Sequence, residues 1–153
     1  MTTTIKYIHL SNQLINSIYD EKPNKLNNCM LKPKGLWFSK NNEWEEFCTS
    51  TGWTYLYKYE FDVDFDNFLI LDTIKKLDDF VKKYSNPKTT CIKWNTVLKD
   101  YSGIYFDNYL ELKQYVFDTK QFDIQYTWFF AVDINSGCVF AKSNVKAFEL
   151  VDK

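Results

Sequence analysis

Apolar and polar positions alternate most clearly over Thr54–Val63, where Tyr55, Tyr57, Tyr59 and Phe61 stand against Lys58 and Glu60; this predicts a half-buried strand. Similar runs predict strands at Thr4–Leu10, Gly35–Ser39, Phe68–Leu71, Gly103–Phe106 and Lys146–Val151. Helical spacing appears in three places. Ser11 reads as an N-cap followed by Leu14, Ile15, Ile18 and Tyr19. Asn42–Thr51 would bury Trp44 and Phe47 before Gly52 stops it. Asp72 or Thr73 caps a helix carrying Leu77, Phe80, Val81 and Tyr84, which Ser85-Asn86-Pro87 ends. Short helices are also predicted at Trp94–Tyr101 and Tyr109–Thr119. Thr127–Asp133, with Trp128-Phe129-Phe130, reads as a buried strand paired with Cys138–Ala141 through a hairpin at Ile134-Asn135-Ser136-Gly137. Asp20–Pro33 is polar, carries Pro23 and Pro33, and reads as a surface loop that could cross a cleft.

There is no repeat, linker or regular β-α-β spacing. The expected fold is a single α+β domain over residues 1–153, with mainly antiparallel, split β-sheets and short flanking helices. A length of 153 residues at 45% hydrophobic content suits one core.

Composition narrows the chemistry. The net charge of −1 offers no broad positive field, so general DNA binding is not expected. All 19 Lys/Arg positions are Lys, which excludes any guanidinium fork and points to an AT-rich coding sequence. Cys29, Cys48, Cys91 and Cys138 form no CxxC pair and a single histidine could join them, so no metal site is expected. Asp62, Asp64 and Asp66 mimic the start of a calcium loop, but Asn67 and Thr73 stand where its glycine and glutamate belong. The amino terminus lacks a basic flank and a long apolar stretch, and no segment reaches the ~20 apolar residues of a membrane helix. Reduced thiols, an intracellular, cytoplasmic location and no membrane partner follow as expectations.

The one pairing that suggests chemistry is His9-Leu10-Ser11 at the end of the first strand with Gly35-Leu36-Trp37-Phe38-Ser39 in the second. His9 and Ser11 leave one strand face, where imidazole and hydroxyl can grip a ribose diol. Gly35 permits close approach of a ligand to the backbone, and Trp37 offers a ring to a flat one. The bland alternative puts Trp37 in the core and leaves Ser39 to cap the next helix.

This front quarter resembles the ADP-ribosyltransferase superfamily, in the His-Tyr-Glu branch shared by poly-ADP-ribose polymerases and related toxins. The resemblance implies an NAD-binding, ADP-ribosyltransferase-like fold and transfer of ADP-ribose to a protein or nucleic-acid acceptor. It implies that His9 grips the adenosine ribose, that Trp37 stacks on nicotinamide, and that Leu10, Ser11, Gly35 and Ser39 line the site. The pattern departs at its third position. Tyr105 stands where the family has glutamate, and Asp107 is the nearest acid on that face, with Asp133 and Glu149 at other late strand ends. A small chain of this kind suits a viral protein, an effector or a toxin acting inside a host cell. The other reading is a catalytically inactive interaction module of related fold, supported by Tyr105 in the acid slot and by the Tyr and Trp content. A cleft shared by His9 and Trp37 would separate these readings from chance resemblance.

Overall fold

The computed structural model describes residues 5–152. The chain runs β1 (Tyr7–Ser11), β2 (Leu36–Lys40), α1 (Glu43–Thr51), β3 (Tyr57–Val63), β4 (Phe68–Leu71), α2 (Ile74–Tyr84), α3 (Trp94–Asp100), β5 (Gly103–Phe106), α4 (Tyr109–Thr119), β6 (Ser136–Val139) and β7 (Val145–Asp152). Short 3-10 helices lie at Asn27–Cys29, Ile124–Ala131 and Lys142–Asn144. The strands form one seven-stranded sheet in the order β4-β5-β6-β2-β1-β3-β7. Every neighbouring pair is antiparallel except β4 and β5, which α2 and α3 connect. The α+β, mainly antiparallel expectation therefore holds.

The expected split into separate sheets does not. β2 joins both halves, because Leu36–Phe38 pair with β6 while Ser39 and Lys40 pair with β1. Beyond Ile8 and Ser39 the β1–β2 ladder stops, so the two strands part below that point and leave a wedge.

Alternation along the strands sorts the aromatic residues onto two faces. On one face Trp37, Ile104, Phe106 and Cys138 meet Leu77, Phe80 and Val81 of α2, Trp94 of α3, Val116 of α4, and Trp128 and Phe129. On the other, Phe38, Phe61, Tyr105 and Val139 gather Tyr7, Phe65, Phe68 and Phe148. Strands from both ends of the order share this second cluster, so the sheet curls around it. The turn carrying Phe65 is pinned by Asn144, whose Nδ2 donates to the carbonyls of Asp64 and Asp66 at 2.8 and 2.9 Å. The Asp62–Asp66 run is thus a structural turn, and the described residues hold no group of acids, histidines and cysteines suited to a metal ion.

α2 follows the expected pattern: Leu77, Phe80, Val81 and Tyr84 are buried, and the Thr73 side chain accepts from the Lys76 amide. Gly52 closes α1 at φ 78°, but Trp44 and Phe47 are only half-buried and Cys48 is its buried residue. β1 continues past His9 to Ser11; the expected start at Thr4 lies outside the described residues. Cys48, Cys91 and Cys138 are free thiols. Among the described residues no helix is long and apolar enough to cross a membrane.

Two further expectations are corrected. The helix after Ser11 is an irregular, extended segment. Ser11 Oγ accepts from the Gln13 amide in a local turn instead of capping, and the Ile15 and Glu21 amides donate to Tyr59 and Phe140. The strand at Thr127–Asp133 is a 3-10 helix, opened by Asp123, which accepts from the Gln125 amide. No hairpin follows it, and Gly137 sits within β6. Asp20–Pro33 is a loop as expected, and part of it is clasped to the body: Asn95 Oδ1 takes the Asn24 amide and the Asn27 side chain, and Asn28 Oδ1 takes the Asn95 amide.

Candidate functional site

The wedge below Ile8 and Ser39 is where chemistry gathers. The backbone of β1 no longer reaches β2 there, so the Trp37 carbonyl lacks a ladder partner on that side. His9 supplies one, its Nδ1 lying 2.6 Å from the Trp37 oxygen. A carbonyl only accepts, so Nδ1 carries the proton and Nε2 remains as the ring's acceptor. Burial holds the imidazole below its ordinary value, with the Trp37 carbonyl opposing that shift.

His9 lines a cavity of about 140 Å³. Leu36 and Val139 form its floor, and Gly35 and Ala141 part of its wall. Gly35 has no room for a side chain, since a Cβ would fall 2.5 Å from the Val139 carbonyl oxygen. Ile15, Ile18, Tyr19 and Glu21 of the irregular segment close it from above. Burial pushes the Glu21 carboxyl above its usual range, with the Lys34 charge opposing. The cavity therefore pairs a neutral imidazole with a half-buried acid between apolar walls, an arrangement suited to general acid–base work or to gripping hydroxyl groups.

Glu21 was invisible to sequence reasoning. It lies in a polar stretch without periodicity, and what makes it notable is a floor contributed by β2 and β6.

The residues named from sequence do not all meet here. Trp37 gives the site its carbonyl, while its ring lies on the helix-covered face, stacked on Phe106 at 6.3 Å and donating from Nε1 to the Pro33 carbonyl. Ser11 is occupied by the Gln13 amide, and Leu10, half-buried beside it, is not among the cavity's lining residues. Ser39 is fully buried and its hydroxyl has no hydrogen-bond partner among the described residues. Tyr105 is 4% exposed and stacks on Phe38 at 5.8 Å. Its unpartnered hydroxyl is raised in pKa, first by burial and then by Asp107 and Glu43. Tyr105 lies on β5, three strands from His9 in the sheet order. Asp107 follows at the end of β5, near Glu43 and Lys40. Asp133 takes a left-handed turn before β6, and Glu149 lies on β7.

A second hollow, of about 340 Å³, opens beyond the carboxyl ends of β2 and β5 between Glu43, Glu46, Asn108, Leu110 and Asn135. Comparison with protein-family models, curated proteins and solved structures finds no significant match to this chain.

Proposed function

We propose that the chain is an ADP-ribosyltransferase-like protein that takes the ribosyl-nicotinamide end of NAD into the wedge between β1 and β2. The observation that carries the reading is one cavity lined by both His9, fixed as its Nδ1–H tautomer, and Glu21. His9 Nε2 accepts from a ribose hydroxyl. Glu21 takes the acid role that sequence gave to Asp107. In transfer, the bond from the ribose carbon to nicotinamide breaks and a bond to the acceptor's nucleophile forms. Nicotinamide leaves neutral, and the ionised Glu21 stabilises the oxocarbenium-like charge and receives the acceptor's proton. The acceptor is a protein or nucleic-acid nucleophile.

The cavity volume equals about five waters' share of liquid, so one ring fits and the rest of the dinucleotide stays outside it. A second reading, the catalytically inactive interaction module, is favoured by the Trp37 ring turning away from the cavity. It is also favoured by the bare apolar positions Leu110, Phe117 and Phe122, which are 77, 55 and 92% exposed.

Calorimetric titration of NAD into the wild type and His9→Ala decides between them. The expected result is saturable binding that His9→Ala abolishes. In Glu21→Gln, binding should persist while nicotinamide release stops. A folded wild type that does not bind NAD sinks the first reading and leaves the module.

A further inference from the structure

The segment that roofs the cavity, residues 12–23, has no regular structure, and its two ends are held very differently. At the far end the Glu21 amide donates to the Phe140 carbonyl at 2.8 Å, and Asp20 Oδ1 accepts from the Lys142 amide at 2.9 Å. The clasp on Asn95 follows a few residues later. At the near end, beyond the Ser11 turn, one bond holds it. The Ile15 amide donates to the Tyr59 hydroxyl at 2.7 Å. Tyr59 is 1% exposed and its ring stacks on Phe148 at 4.9 Å, so the hydroxyl is a fixed post. Between these anchors, no hydrogen bond ties residues 16–19 to the body among the described residues. Ile15 and Ile18 merely pack, and Leu14 and Tyr19 are 54 and 62% exposed.

We propose that residues 12–19 form a strap that swings off the cavity by releasing the Tyr59 latch, hinged at Asp20 and Glu21. The inference rests on the cavity being the ligand site, and it supplies the opening that a ligand longer than one ring requires. Opening sacrifices one hydrogen bond and two half-buried side chains, the profile of a low-energy local opening rather than global unfolding. Glu21 stays in place while the strap moves, because its own amide belongs to the hinge.

Hydrogen exchange on the ligand-free protein tests this without NAD. Tyr59→Phe removes the latch oxygen and keeps the stacked ring. Exchange at the Ile15 amide, the one strap amide bonded to the body, should accelerate about fivefold, equivalent to about 1 kcal/mol for a lost neutral hydrogen bond. Exchange over residues 21–28 and in β3 should stay at wild-type rates. Ile18→Ala, which loosens the same strap from its other contact, should reproduce the pattern. Unchanged exchange at Ile15 in Ile18→Ala, where the latch oxygen remains, or equal acceleration in β3 and 21–28, overturns the strap. The NAD titration is independent: a latch that behaves as described in a protein that never binds NAD preserves the strap and removes the NAD reading. NAD binding with exchange unaffected by Tyr59→Phe does the reverse.

Discussion

On one face of the sheet, Phe80, Trp94, Trp128 and Phe129 pack ring against ring beneath the helices, and several tyrosine hydroxyls there are tied off while the Trp128 Nε1 is not. Asp78 of α2, for instance, accepts from the hydroxyls of both Tyr115 and Tyr126 at 2.7 and 2.6 Å. On the other face, Phe38 sits among Tyr7, Phe65, Phe68 and Tyr105, and no helix residue joins this cluster among the described residues. That face is covered by the sheet's own curl, one pinned turn and the strap. Both faces use the same residue types. The first is closed by elements that cannot leave without unfolding the domain, whereas part of the second is closed by a segment latched through one bond. The cavity lies where the cover is weakest.

The strongest way to break this comparison is to attack the helix-covered face. Trp128→Ala empties a fully buried indole site and should cost about 3–5 kcal/mol, read as a large drop in the urea midpoint. A loss below about 1 kcal/mol would mean that this face is not the main store of stability. On the curled face, Gly137 lies between the stacked rings of Phe38 and Tyr105. A Cβ there would run into Phe38 and come within 2.9 Å of Tyr105. Gly137→Ala should therefore cost about 1–3 kcal/mol by overpacking. The urea midpoint of the variant, set beside that of Trp128→Ala, checks this.

The smallest effect sharpens the contrast. The folded state holds the His9 pKa below its ordinary value of about 6.5, so the unfolded chain binds more protons between the two values. His9 therefore contributes no pH dependence above about 6.5, and stability falls as pH drops through the window below. Glu21, Glu43 and Asp133 are raised acids and act with the opposite sign, losing their contribution as pH rises through their folded values. The difference between wild type and His9→Gln isolates the histidine, because the glutamine amide can still donate to Trp37. Urea midpoints from pH 5 to 7.5 should diverge in slope on the acid side only. Parallel curves would show that the imidazole titrates as it does in the unfolded chain.

Elements whose partners are local in sequence were legible. The spacing of Leu77, Phe80, Val81 and Tyr84 fixed α2, and strict alternation fixed β3. What escaped depends on distant partners. Leu14, Ile15, Ile18 and Tyr19 carry a helix's spacing, yet the amides around them are claimed by Tyr59 and Phe140, one of them more than a hundred residues away. Gly137 reads as a turn glycine because its real function, making room for two rings, requires knowing that Phe38 and Tyr105 flank it. His9 and Gly35, read from local pattern, line one cavity, whereas the ring of Trp37, read from the same pattern, and Tyr105, placed by the family resemblance, point elsewhere. Glu21 had no local signal at all.

At one of the two open edges of the sheet, β7 pairs with β3 through two register shifts, and Ala147 takes a left-handed backbone at φ 53°. A neighbouring molecule seeking to extend the sheet would need a straight ladder there, and would meet instead a bent strand with Lys146 beside the bend. Along this edge the irregularity breaks the even row of backbone donors and acceptors with which an added strand would pair.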